Sequence, residues 1–389
     1  MWVGKIKTAL GYVVLSAAIF SWWFLALSPE SDADFSVPIP VITASRLQLP
    51  MISPIDRGDL KSALSGDISL ITRLMADWDL DAQILEAQGI IGVQRLPQQN
   101  FIRGQMLGRH LQTQKPKIHS DKYLPQTYAA ASMLFALLSA DQIAALPTGM
   151  RQQSELFSKK LTDQIPLDLD RYNTEKLYIE RPKMAFAAPY SDPASIQSLK
   201  NQSIPLYFMP SVASCQEIMD HLVCVGKAVH QSEKGELLAL FMESALAAID
   251  NRMKALQSII VENGGPPKVL FLHDFLHYST PAPHSLTGQL LCRLNLLDSS
   301  IKNMMLPEHL WTVPMTQEKI VEFAPEVLIV SSYDSESSWK RLNSLSAFRK
   351  VPALSTQKVF FVDSEVQQYP SQLLVLAYFD LFQAYAAAR

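Results

Sequence analysis

The sequence predicts an α/β protein: two Rossmann-like α/β lobes joined by one long backbone helix and preceded by an N-terminal membrane segment. Three observations carry this. From about residue 123 onward, short apolar runs alternate with stretches of helical spacing, the pattern of a parallel sheet with helices on its faces. Midway lies EKGELLALFMESALAAIDNRMKALQSIIVE (233–262), in which Leu238, Phe241, Ala245, Ile249, Met253, Leu256 and Ile260 recur at helical steps and form one apolar stripe. The third is an echo across that helix. EKLYIERPKMAFAAPYSD (175–192) aligns without a gap with EKIVEFAPEVLIVSSYDS (318–335), matching Glu175 with Glu318, Lys176 with Lys319, Pro182 with Pro325 and Tyr190 with Tyr333.

At the N-terminus, Lys5 and Lys7 precede Thr8–Leu27, which carries no charge, and Glu30, Asp32 and Asp34 follow. About 20 apolar residues suffice to cross a bilayer. Basic before and acidic after predicts the N-terminus inside and the remaining chain outside. Residues 1–28 read as a cleaved signal or a retained anchor, and the long apolar run favours the anchor. Residues 29–122 read as a Ser, Asp and Pro-rich linker followed by an extra helical segment. There Ile68, Ile71, Leu74, Trp78 and Ile84 have helical spacing and Gly89–Val93 has the character of a strand.

The N-terminal lobe, 123–232, begins with TYAAASMLFALL. Ser139 is a cap or turn residue and Ala144–Leu146 a short strand. Ala185–Ala188 forms a strand, Ile196 and Leu199 mark a helix, and Ile204–Phe208 forms another strand. The connecting helix, 233–262, is capped by Ser232 and stopped by Asn263-Gly264-Gly265-Pro266-Pro267. About 30 residues at helical rise span roughly 45 Å, enough to connect two domains. The C-terminal lobe, 263–389, has strands at 268–273, 326–332 and 358–363. Its helices lie at 285–297, 315–325, 339–348 and from about Pro370 to the end.

Composition narrows the function. With 48% hydrophobic and 18% charged residues the chain can build a sizeable core. A net charge of −3 argues against a nucleic-acid partner. The three cysteines, Cys215, Cys224 and Cys292, are too few for a disulfide framework. They read as three small buried residues, or as one Cys215–Cys224 bridge in an oxidising compartment. The sequence shows no phosphate loop, no nucleophile elbow, no GxGxxG and no recognisable carboxylate pair, so it is not read as an enzyme.

Open parallel sheets take ligands outside the carboxyl ends of their strands. Tyr190 and Tyr333 therefore suggest a cleft lined from both lobes, although tyrosines also cover strand ends as packing. A phenolate is a hard oxygen donor suited to ferric iron or haem. In HDFLHYSTPAPHS (273–285), His273 and His277 are followed by Tyr278. The H-D-x-x-H spacing lacks the glutamate of a zinc-protease helix and two prolines follow, so no zinc hydrolase is expected. One residue of this loop could contact a metal or haem, or the loop could be a polar surface. Arg151, after ALPTGM, reads either as a holder of an anionic ligand or as an ion-pair partner.

Several phrases carry a family resemblance over about residues 123–389: APYSDPASIQSLKNQSIPLYFM, EKIVEFAPEVLIVSS, SLSAFRKVPALSTQKVFFVDSE and PSQLLVLAYFDLFQA. They resemble the helical-backbone (class III) periplasmic substrate-binding proteins of ABC transporters, the group that carries ferric siderophores, haem, cobalamin or metal ions. The resemblance implies a protein without a resident cofactor that captures an iron complex between its lobes and delivers it to an inner-membrane permease. It also implies small lobe movements about a stiff helix, and cleft positions at Arg151, Tyr190, Tyr333 and the His273–Tyr278 loop. The chain departs from the family in having no lipoprotein cysteine and in its long segment before the first lobe. Those departures keep a second expectation alive, a membrane-anchored sensor or scaffold built on the same fold.

Overall fold

A computed structural model describes residues 55–78, 98–113, 122–154, 156–169, 181–262, 265–275, 277–307 and 309–388. The expected membrane segment and the strand at Gly89–Val93 lie outside these residues. Among the described residues, no helix is long and apolar enough to cross a membrane.

The segment before the first lobe forms helices α1 (Arg57–Leu64), α2 (Ile68–Asp77) and α3 (Gln98–Thr113). Asp56 and Asp67 start the first two, their carboxylates accepting from the amides of Asp59 and of Ser69 and Leu70. The apolar side of α2 buries Ile71, Leu74 and Met75. Beyond its end Trp78 is 2% exposed and stacks on Phe241 at 5.6 Å. Arg57 forms a forked ion pair with Asp380, at 2.6 and 2.8 Å. These helices are thus docked on the connecting helix and on the last helix of the chain, and belong to the folded body.

The N-terminal lobe is built on the parallel strands β1 (Tyr123–Pro125), β2 (Met184–Ala187) and β3 (Leu206–Phe208), in that spatial order. Single parallel bridges, Tyr123 to Ile143 and Leu146 to Asp168, extend the sheet past β1. The expected strand at Ala144–Leu146 is reduced to these bridges. Helix α4 (Tyr128–Leu137) is buried all round, as its apolar composition requires. Helix α5 (Pro193–Asn201) joins β2 to β3 and is capped by Asp192 with Pro193 in its first turn.

Helix α6 (Cys215–Ala228) turns back into α7 (Ser232–Glu262), the long connecting helix. Gly226 and Gly235 let the two approach: a Cβ on Gly226 would lie 2.9 Å from the Cα of Gly235. The predicted stripe of α7 is buried throughout, and so are Leu237, Met242, Leu246 and Ala248. The helix is covered on more than one side because α2, α3, α6 and the final helix all pack on it. Cys215 and Cys224 both lie on α6, about 13 Å apart along its axis, beyond disulfide reach. All three cysteines are free, and Cys224 is exposed, which corrects both expectations for them.

The C-terminal sheet has the order β6-β5-β4-β7-β8: β4 (Val269–Asp274), β5 (Tyr278–Pro281), β6 (Thr312–Pro314), β7 (Val327–Ser332) and β8 (Val359–Asp363). Strands β4, β7 and β8 are parallel, while β5 and β6 are antiparallel additions. The His/Pro-rich stretch read as a loop therefore contains β5, a short strand paired on both sides. Helices α8 (Leu286–Arg293), α9 (Gln317–Phe323), α10 (Ser335–Ser344) and α11 (Leu374–Ala387) complete the lobe. Asp250 of α7 receives a bidentate pair from Arg293 of α8, the closest contact being 2.7 Å, and a hydrogen bond from the Tyr378 hydroxyl of α11. One buried carboxylate thus joins three helices.

Candidate functional site

The parallel strands other than β7 lead to one cavity of about 900 Å³. After β1 come Gln126 and Thr127, after β2 come Ala188 and Tyr190, and after β3 come Met209 to Val212. The C-terminal lobe contributes His273 and Phe275 at the end of β4, Ser279 of β5, Trp311, and Gln367 and Tyr369 beyond β8. The cavity lies outside the carboxyl ends of both sheets, where an α/β fold places its ligands. The lobes touch there through Tyr128 and Tyr369, whose rings stack at 4.9 Å and 14°.

Of the expected site residues, Tyr190 and His273 line this cavity. Tyr190 is 64% exposed overall. Partial burial raises its pKa, and a hydrogen bond with Thr127 pulls in the opposite direction. The side chain is a neutral phenol at neutral pH, not a preformed phenolate. His273 is buried, with its ring stacked on Phe275 at 5.8 Å and edge-on to Phe271 at 5.1 Å. Burial lowers its pKa to about 4, so the imidazole is neutral, and its Nδ1 has no protein hydrogen-bond partner.

The other expected residues stand apart from the lining. Tyr333 is 64% exposed and packs on Phe275 at 5.7 Å, one layer out from the cavity. Tyr278 begins β5, packs on Phe348 and faces Arg341. His277 is not among the lining residues. Arg151 grips Asp168 through Nε and Nη2, the shortest contact being 2.9 Å, and donates to the carbonyls of Thr162 and Ile165. Its guanidinium staples its own lobe and does not line the cavity, which is the ion-pair alternative of the sequence reading.

Sequence reasoning passed over Tyr128, His221, Trp311 and Tyr369. Tyr128 could have been found as the residue following a strand and its Thr127 cap. His221 sits on α6, with an unpartnered Nδ1 and a pKa lowered by burial. Among the described residues no group of three or more His, Cys, Asp or Glu side chains is arranged to hold a metal ion.

No protein-family model matches the chain, and no curated protein sequence matches it. Solved structures do. The periplasmic heme-binding protein RhuT from Roseiflexus sp. RS-1 superposes with a TM-score of 0.55 at 16% identity, over 69% of this chain and 99% of its own. HutB, the periplasmic heme-binding protein of Vibrio cholerae, gives 0.52 at 16% identity, over 68% of this chain and 98% of its own. FhuD2 from Staphylococcus aureus with bound ferrioxamine B gives 0.52 at 16% identity, over 69% and 99%. The chain therefore has the two-lobe, helical-backbone fold of these periplasmic binding proteins.

Proposed function

We propose that this protein is an extracytoplasmic solute-binding protein that captures an iron complex, a ferric siderophore or haem, between its lobes and presents it to an ABC permease of the inner membrane. In this reading residues 123–232 and 263–389 are the two lobes, 233–262 is the stiff hinge between them, and residues 1–28 export or tether the chain. The observation that carries it is the cavity of about 900 Å³ walled by the strand ends of both sheets. That volume falls within the range of small-molecule sites, and its lining mixes aromatic faces with a few polar groups. An apolar, self-filling cleft would instead have favoured a sensor or scaffold.

Trp311 lines the cavity and provides a built-in reporter. Haem, a ferric siderophore and free metal ions are titrated into the full chain in mild detergent, with tryptophan fluorescence and visible absorbance recorded together. The expected result is saturable one-to-one quenching by an iron complex, largely lost in Trp311→Phe. No binding by a folded protein would refute the reading.

A further inference from the structure

The cavity is a neutral-to-negative environment. Among the described residues that line it, Asp192 is the only aspartate or glutamate and there is no lysine or arginine. Its two imidazoles, His221 and His273, are both shifted by burial toward the neutral form. Arginines of both lobes are already engaged elsewhere: Arg151 with Asp168, and Arg341 with Asp274 at the end of β4. A buried acid, Glu365, lies close enough to the Tyr128–Tyr369 stack to raise both phenol pKa values further, beyond the effect of burial. Helix N-termini work the other way, since their partial positive charge attracts anions. Here those facing the cavity are capped from within the chain. Thr127 Oγ1 accepts from Ala130 N at 3.2 Å, the Asp192 carboxylate from Ser195 N at 3.0 Å, and Ser285 Oγ from Gly288 N at 3.0 Å. The tyrosine, phenylalanine and tryptophan faces add a surface that attracts cations.

From this we infer that the site selects its ligand by charge: it takes ferric complexes whose outer surface is neutral or positive, and discriminates against polyanionic ones. The inference rests on the iron-complex reading above and names the ligand class within it. A polyanion entering the cleft would lose hydration with no cation to replace it, whereas a ferric trihydroxamate presents amides and methylenes that aromatic and amide side chains can meet.

The test uses the full chain and a matched series on one ferric trihydroxamate. Ferrioxamine B carries a terminal ammonium, its N-acetyl derivative is neutral there, and its N-succinyl derivative is negative. Haem, with two propionates, and a ferric tris-catecholate are run beside them. The positive and neutral members are expected to bind at least about tenfold tighter than the negative one, with the gap narrowing as salt is raised. Ser211, an exposed residue of the lining, accepts a longer side chain. Ser211→Arg is expected to restore most of the lost affinity for the succinyl derivative, and Ser211→Gln to leave the order unchanged. Equal or tighter binding of the succinyl derivative overturns charge selection, as does capture of haem or the catecholate with none of the hydroxamates; in either case the iron-complex reading survives. Binding of no probe overturns both.

Discussion

In the N-terminal lobe β2 runs between β1 and β3, and in the C-terminal lobe β7 runs between β4 and β8, with all four neighbours parallel. Just upstream of these middle strands stand Arg181 and Ala324, both left-handed (φ 38° and 50°) and both followed by proline. A positive φ is uncommon outside glycine, so its recurrence at aligned positions supports the echo seen in the sequence. Tyr190 and Tyr333 follow the same two strands. The lobes then diverge. Strands β4 and β7 are six residues long and buried at every position, whereas β2 has four residues and β3 has three, none of them buried. The C-terminal lobe is also fastened to α7 by the Asp250–Arg293–Tyr378 cluster. Its polar counterpart in the N-terminal lobe, Arg151 with Asp168, lies nearer the surface and stays within that lobe. One lobe and the helices on α7 therefore form a heavily buried body, and the other is a lighter flap over the shared cleft.

The difference is testable through the two fasteners. Asp250→Ala leaves Arg293 buried without its carboxylate and is expected to cost about 3–5 kcal/mol in urea unfolding. Arg151→Ala removes a pair whose side chains are 24% and 34% exposed, together with two carbonyl contacts, and is expected to cost about 1–3 kcal/mol. Equal costs for the two substitutions would break the distinction between body and flap.

A pH titration sharpens the same contrast from inside the C-terminal lobe. His273 has a folded pKa of about 4 against an ordinary 6.5. Between these values the unfolded chain binds a proton that the folded protein refuses, so stability falls as pH drops from about 6.5 to about 4 and flattens below. The contribution is on the order of 3 kcal/mol at most. His273→Phe is expected to remove that part of the slope, measured as the urea midpoint at successive pH values. A slope unchanged by the substitution would show that the imidazole is open to water.

The C-terminal lobe was also the easier one to read. Its strands are long uninterrupted apolar runs, and β4, β7 and β8 fall within a residue of their expected bounds. The stripe on α7 was equally clear, because burial of a helix face leaves a period in the sequence. The docking of α1 to α3 was not readable. Trp78 meets Phe241 and Arg57 meets Asp380, contacts between residues so distant in sequence that no local pattern encodes them. For the same reason Arg151 could not be separated from a ligand-holding arginine until Asp168 was seen beside it. In the cleft, Tyr190 and His273 were legible as strand ends. Tyr128, Trp311 and Tyr369 sit where loops and helix starts happen to converge, which only the packing of both lobes determines. The β5 strand, an inner strand between β4 and β6, was hidden by Pro281 at its last position and Pro283 just beyond, which break the apolar run and read as a loop.

The smallest effect on stability, and the sharpest on the comparison, concerns the paired tyrosines. Both are 64% exposed, so Tyr190→Phe and Tyr333→Phe should each change unfolding free energy by less than about 0.5 kcal/mol. Their effects on binding should differ. The Tyr190 hydroxyl reaches Thr127 at the cavity wall, and its loss leaves a ligand one hydrogen bond short, about a fivefold to tenfold weakening for a neutral trihydroxamate. Tyr333 packs on Phe275 and is not part of the lining, so its hydroxyl should matter less than twofold. Sequence symmetry alone would make the two equivalent. An equal loss at both positions would mean that the lobes close far enough on the ligand to bring Tyr333 into the lining, and the flap would then move further than its hinge helix suggests.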